Sequence, residues 1–294
     1  MSVASAVQVE PYLDVKAELG EGPLWSPREQ SLYWIDVTRR LIFRHDTRTG
    51  KTWTHSVSGM PGSIALCENG GVLAAYRTGL AHIDLATGTE TRIPSSIDFG
   101  IERFNDGKCD RRGRFFAGTM DKTMVAPVGA LYRVDPDRSV TRLAEGIRLS
   151  NGIAWSPDDR TMYHCDSRPG VVYAYDYDIA TGTPSNRRVH IDFTDRGYHC
   201  DGCTVDAEGF LWIAEVGGWH VGRYAPDGRR VSGIELPAKR VSSVMFGGPD
   251  LDTLFITTMY YNLKPDEVAA QPLAGRLFAA RPGVRGLPEP YFAG

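Results

Sequence analysis

One apolar, strand-like phrase recurs six times along the chain. The copies are Leu32-Tyr33-Trp34-Ile35-Asp36, Gly71-Val72-Leu73-Ala74-Ala75, Arg114-Phe115-Phe116-Ala117-Gly118, Thr161-Met162-Tyr163-His164-Cys165, Phe210-Leu211-Trp212-Ile213-Ala214 and Thr253-Leu254-Phe255-Ile256-Thr257. Their spacing is about 40 to 50 residues, the period of a four-stranded propeller blade. Each copy is preceded by a short segment of small residues and a polar turn, such as Ser26-Pro27-Arg28-Glu29 or Asp206-Ala207-Glu208-Gly209. A third run follows, such as Val171-Val172-Tyr173-Ala174-Tyr175, and then a weaker fourth, such as Thr52-Trp53-Thr54-His55. β-Branched and aromatic residues fill the runs, and no long helical period competes with them. The expectation is an all-β fold: one six-bladed β-propeller over residues 1–294, four antiparallel strands per blade, with any metal site in the central channel. Radial repetition leaves few free sheet edges, and an N-terminal strand near residues 7–11 is expected to close the ring by joining the last blade. Three longer irregular stretches, about residues 94–103, 187–198 and 260–272, are expected to be loops that lid one face.

Composition narrows the partners. Of 294 residues 42% are hydrophobic and 23% charged, the balance of an ordinary globular chain. With a net charge of −3 and no long basic run, nucleic acid is not an expected partner. No apolar stretch approaches the ~20 residues of a membrane span. The start, Met1-Ser2-Val3-Ala4-Ser5-Ala6-Val7, has neither a basic region nor a long apolar core of a secretory signal. Five cysteines without framework-like spacing point to free thiols in a reducing compartment. These features predict a cytoplasmic protein, a monomer or a small homo-oligomer.

The first segment of each repeat is short and rich in Gly, Ala and Ser, as the strand nearest a crowded axis should be. Aligning the copies on the following turn brings Glu21, Ser63, Asn105, Asn151, Asp201 and about Ser242 to one phase, facing the channel mouth. Four of the six are acids or amides. Two carboxylates in one place repel, and a divalent cation removes that cost. Glu21, Asn151 and Asp201 offer only oxygen donors, which suits a hard or borderline ion (Ca, Zn, Mn, Mg or Fe(II)) in an open site with waters. Asn151-Gly152 and Asp201-Gly202 also read as ordinary tight turns that need no ion.

Several of these segments together resemble the regucalcin/gluconolactonase (senescence marker protein-like) family of sugar lactonases. The matching text includes Leu19-Gly20-Glu21-Gly22-Pro23-Leu24-Trp25, Arg103-Phe104-Asn105-Asp106-Gly107-Lys108, Gly113-Arg114-Phe115-Phe116-Ala117-Gly118-Thr119-Met120, Ser150-Asn151-Gly152-Ile153-Ala154-Trp155, and Asp201-Gly202 ahead of Val205-Asp206-Ala207-Glu208-Gly209. The resemblance implies a six-bladed lactonase that holds one divalent ion through Glu21, Asn151 and Asp201. It implies sugar-lactone contacts by Arg103 and Asn105, and an acid/base role for Asp201. Some members hold substrate with an acid just after the Gly-Thr-Met segment, and Asp121 stands there in this chain. Where the family commonly has Pro before the Asp-Gly pair, this chain has Cys200.

A lactone is a cyclic ester. Opening it requires water at the carbonyl carbon and stabilised charge on the carbonyl oxygen, work that a divalent ion and a carboxylate share. The reading is metal-dependent hydrolysis of an aldonolactone in carbohydrate metabolism. The rivals are a phosphotriesterase or aryl-ester lactonase on the same scaffold, and a calcium-binding propeller without catalysis.

Other candidates carry structural readings. Asp106 follows Asn105 and, in a regular strand, should face away from it. Cys200 and Cys203 form a C-x-x-C whose members, three apart in a strand, should point to opposite faces. His164 reads as a satisfied buried histidine. Tyr198, His199, Trp219 and His220 stand where they could wall a substrate pocket, and Trp25, Trp34, Trp155 and Trp212 read as packing between blades.

Overall fold

The structure is a computed structural model that describes residues 7–95, 97 and 99–294. Six four-stranded antiparallel sheets stand as blades around a central channel. The innermost strands are Gly20–Ser26, Pro61–Leu66, Glu102–Cys109, Ser150–Trp155, His199–Val205 and Val241–Gly247. In the first five blades the chain runs outward through consecutive antiparallel strands; in blade 1 these are Ser31–Asp36, Leu41–Asp46 and Lys51–Ser56. Blade 6 is built from both ends of the chain. Its fourth strand, Val9–Lys16, pairs with Arg276–Ala280, so the expected closure holds.

Burial follows the radial order. The second strand Ser31–Asp36 is buried throughout, while the outer strand Lys51–Ser56 alternates between exposed and half-buried residues. The core is divided among the six seams between blades. In blade 2, Val72, Ala74 and Tyr76 pack toward blade 1, and Leu73 and Ala75 toward blade 3. Strand alternation thus serves two cores from one sheet. Aromatic pairs knit the seams: Trp25 stacks on Phe255, Phe116 meets Trp155 edge-on, and Trp212 meets Phe246 edge-on. Trp34 differs, stacking on Phe43 of its own blade.

All three expectations about irregular segments change. In the stretch 94–103, residues 102–103 open the innermost strand Glu102–Cys109, and residues 96 and 98 lie outside the described residues. Residues 187–192 belong to the outer strand Thr183–Asp192, which leaves the predicted loop shorter. Within the stretch 260–272 lies one short helix, Pro265–Ala270. Among the described residues no helix is long and apolar enough to cross a membrane.

Every innermost strand carries one extra residue against its neighbour. The pairing register slips between Glu21 and Leu24, Pro61 and Ser63, Phe104 and Gly107, Ser150 and Ile153, Cys200 and Cys203, and Val241 and Ser243. Such a bulge locally bends a strand and re-aims its side chains. Six copies at one radius turn a set of side chains toward the axis.

Candidate active site

A cavity of about 720 Å³ occupies the channel. Its lining contains Glu21, Arg103, Asn105, Asn151 and Asp201, distant in sequence and drawn from four blades. The bulges are the cause. Asn105, Asn151 and Asp201 lie within them, and Glu21 stands at the start of one. Lys108, three residues beyond Asn105, does not line this cavity but ties blade 3 to blade 5. Its ammonium donates to the Cys203 carbonyl at 2.8 Å and lies 3.6 Å from the Glu289 carboxylate.

The same bulges overturn two expectations. Asp106 lines the cavity beside Asn105, because the extra residue between Phe104 and Gly107 breaks the alternation that would have turned it away. Cys200 and Cys203 belong to one buried cluster with Cys165. Burial and contacts with its two neighbours push the Cys165 thiol up, so it stays protonated.

The tight-turn reading of Asn151-Gly152 and Asp201-Gly202 also fails. Both pairs lie inside strands, and neither glycine has a positive φ. These glycines allow close approach instead. A Cβ on Gly152 would stand 2.5 Å from the Asp201 carbonyl oxygen, and one on Gly202 would stand 2.1 Å from Ser243 Oγ.

Hydrogen bonds settle the orientation of Asn151. Its Nδ2 donates to Ser167 Oγ at 2.7 Å, and that hydroxyl donates in turn to the Cys200 carbonyl at 2.5 Å. Its Oδ1 accepts from Asn105 Nδ2 at 2.8 Å and keeps a second lone pair. Asp166 steadies the approach to this strand, its carboxylate accepting from the backbone of Arg148 and Leu149 at 3.1 and 2.8 Å. Asp36 does the same in blade 1 for Glu18 and Leu19.

The electrostatics single out the carboxylates. Burial, then the neighbouring Asp106, push Glu21 well above the usual carboxylate range. Burial, then Glu21 and Asp106, do the same to Asp201. Asp106 is raised chiefly by burial and held down in part by Lys108. Asp201 Oδ1 is buried without a hydrogen-bond partner, and Glu21 Oε2 accepts only a 3.3 Å bond from Gly22. Crowded carboxylates with an orphaned oxygen, beside an amide oxygen fixed in place, fit a divalent cation. Among the described residues no group of three or more His, Cys, Asp or Glu forms a metal cluster. The fitted set has only two such residues, with Asn151 as the third donor.

Ser63 and Ser242 share the phase but do not line the cavity, where Gly62 takes the blade 2 position. Ser242 Oγ donates to the Gly20 carbonyl at 2.6 Å, tying blade 6 to blade 1. Asp121 is also absent from the lining. Its carboxylate accepts from Thr123 Oγ1 and from the backbone of Thr123, Val125 and Ala126, which holds the following turn and draws it well below its ordinary range. That commitment removes it from the set of substrate contacts. His199 lines the cavity; Tyr198, Trp219 and His220 do not. His164 is buried, with Nε2 on Ser150 Oγ at 2.7 Å and Nδ1 unpartnered. Arg77 lines the cavity too, and no repeat marks it in the sequence, since it follows the second strand of blade 2, outside the aligned phase.

Residues 19–260 match the family described as the SMP-30/Gluconolactonase/LRE-like region. The chain is 38% identical to the regucalcin of Danio rerio over 99% of its own length and all of that protein. It is 39% identical to the 6-deoxy-6-sulfogluconolactonase of Pseudomonas putida over 94% of its length and 95% of the relative. A crystal structure of a calcium-binding protein, regucalcin, from Agrobacterium tumefaciens superposes with a TM-score of 0.91 at 30% identity, covering 95% of each chain.

Proposed function

The chain belongs to the SMP-30/Gluconolactonase/LRE-like family, and from that membership we propose that it hydrolyses a sugar lactone to the corresponding aldonic acid. The observation that carries the reading is the meeting of Glu21, Asn151 and Asp201 with Arg103 and Asn105 in one cavity. Glu21, Asn151 and Asp201 would hold one divalent ion. When bound, that ion supplies Lewis acidity toward the ester carbonyl and lowers the pKa of water.

The chain's own residues do the rest. Asp201, through the unpartnered Oδ1, takes a proton from the attacking water and returns it to the ring oxygen as the ester bond breaks. Arg103 offers a planar fork of donors, and Asn105, whose two amide protons go to the Ser150 carbonyl and Asn151 Oδ1, offers its amide oxygen as an acceptor for a ring hydroxyl. Asp106 adds negative charge beside Glu21 and Asp201, which favours the bound cation. The reaction belongs in the cytoplasm, a reducing compartment in keeping with five free, buried cysteines.

The Agrobacterium relative, described as a calcium-binding protein, favours a second reading in which the ion is held without turnover. An aryl-ester or phosphotriester substrate has less support, because Arg103 and Asn105 line the cavity and, among the described residues, no phenylalanine does, although Leu19 and Leu149 do. A pH-stat panel of aldonolactones, run on chelated and metal-reloaded protein, decides between the readings. Lactonase activity appears as metal-dependent acid release above the spontaneous rate. Ion binding with no ester opened by any divalent metal leaves the second reading standing.

A further inference from the structure

The chain is acidic overall, with a net charge of −3, yet six Lys or Arg side chains line the cavity against three carboxylates. The charges are layered. Asp201 is buried, Arg77 and Arg103 are half-buried, and Lys122 and Arg168 are exposed. An entering molecule therefore meets positive charge before it meets the carboxylates.

Arg77 and Arg103 line the same cavity from adjacent blades. Arg103 belongs to blade 3 and Arg77 to blade 2, whose backbones touch where the Phe104 amide donates to the Arg77 carbonyl. Arg103 Nη1 donates only to neutral acceptors, the Phe104 carbonyl at 3.2 Å and Asn105 Oδ1 at 3.3 Å. Arg77 Nε is buried with no partner. No carboxylate among the described residues forms an ion pair with either. Burial, then the charge on Arg77, bring Arg103 down to about 10. Two partly desolvated like charges raise the energy of the empty site, and the hydroxyls of a neutral sugar do not offset that cost. An oxyanion does, since a guanidinium fork binds carboxylate, sulfonate or phosphate oxygens through short, charge-assisted bonds.

We propose that the lactone opened here carries a second, anionic group, a terminal carboxylate, sulfonate or phosphate, held between Arg77 and Arg103. Arg77 is then the specificity-determining residue, a role separate from opening the ester. This inference rests on the lactonase reading for its reaction but not for its binding site.

The test has two arms. In the first, kcat/KM is measured for glucono-δ-lactone and for its 6-phosphate, 6-sulfonate and 6-carboxylate counterparts, on the wild type, Arg77→Gln and Arg77→Lys. The wild type is expected to prefer at least one charged lactone by roughly tenfold or more, with a preference that shrinks as salt rises. Arg77→Gln should remove that preference and leave the neutral lactone within about twofold, and Arg77→Lys should restore part of it. The identity of the preferred anion names the source. In the second arm, calorimetry compares gluconate with the matching 6-phosphate, 6-sulfonate and dicarboxylate open-chain acids. If no lactone opens but a doubly charged acid binds the wild type more tightly, and Arg77→Gln loses that advantage, the reaction is wrong and the anion site stands. Equal treatment of neutral and charged ligands by the wild type, or an equal loss for both in Arg77→Gln, overturns the proposal. A thermal melt of each variant confirms that folded protein is compared, and the wild-type comparison decides even if a variant does not fold.

Discussion

Asn151 donates a 2.7 Å hydrogen bond from its side-chain amide to Ser167 Oγ, and this bond points the amide oxygen at the cavity. Ser167 spends its own proton on the Cys200 carbonyl, so it has only an acceptor to offer Asn151. Ser167→Ala removes the bond that holds the amide the right way round. The expected result is a loss of divalent-ion affinity of roughly tenfold, the size of effect seen when support behind a metal ligand is removed. Calorimetric titration with Ca or Mn measures it, and unchanged affinity would show that Ser167 does not orient the ligand.

Asp201→Asn and Glu21→Gln each replace a repelled carboxylate by an amide. Both carboxylates are raised first by burial, then Glu21 by the charge of Asp106 and Asp201 by the charges of Glu21 and Asp106, so their neutral replacements should leave the chelated protein as stable as the wild type or more so. The same variants should lose the rise in Tm that a divalent ion gives the wild type. Asp201→Asn should also abolish metal-dependent lactone opening. Differential scanning fluorimetry with and without chelator reads the first two effects. A chelated variant that melts well below the wild type would show that these carboxylates stabilise the fold themselves.

Gly152→Ala places a methyl group 2.5 Å from the Asp201 carbonyl oxygen. Backbone cannot yield there without moving the innermost strand of blade 5. A cost of about 1–3 kcal/mol is expected, as for other overpacked positions, together with weaker ion binding. Urea unfolding and ion titration test both, and a variant with wild-type values would mean that the two strands slide apart freely.

His164 carries the pH prediction. Burial drives its ring from the ordinary value of 6.5 down to about 3, so the folded state holds it neutral. A lowered histidine favours the folded state fully above its unfolded value, and that contribution is lost as pH falls from 6.5 toward 3. Stability should decline on the acid side with a slope component of about 1.4 kcal/mol per pH unit from this residue. His164→Gln, which keeps a group able to bond Ser150, should flatten that component. Denaturant titrations across the window supply the slopes, and parallel curves for both proteins would remove His164 from the account.

The repeat made the blades legible because an apolar second strand must recur wherever a sheet is buried on both faces. The closure by residues near the N-terminus followed, as did the meeting of Glu21, Asn105, Asn151 and Asp201. Asp106 and the Cys200–Cys203 pair did not, because strand alternation was applied across a bulge. The glycines at residues 62, 152 and 202 recur beside that phase and were a usable sign of it. Asp121 stands where the resemblance points to a substrate contact, but it does not line the cavity and its own turn consumes the carboxylate. Arg77 lay outside the repeated phase, and only the packing of blade 2 on blade 3 brings it to Arg103.

The fourth strand of blade 6 comes from residues 9–16, which pair with residues near 276–280. The ring therefore cannot be sealed until almost the whole polypeptide has been made. Glu21 leads directly out of that seam, whereas Asn151 and Asp201 sit in the middle of the chain. If Glu21, Asn151 and Asp201 hold an ion as proposed, its uptake would follow the joining of the two chain ends in blade 6.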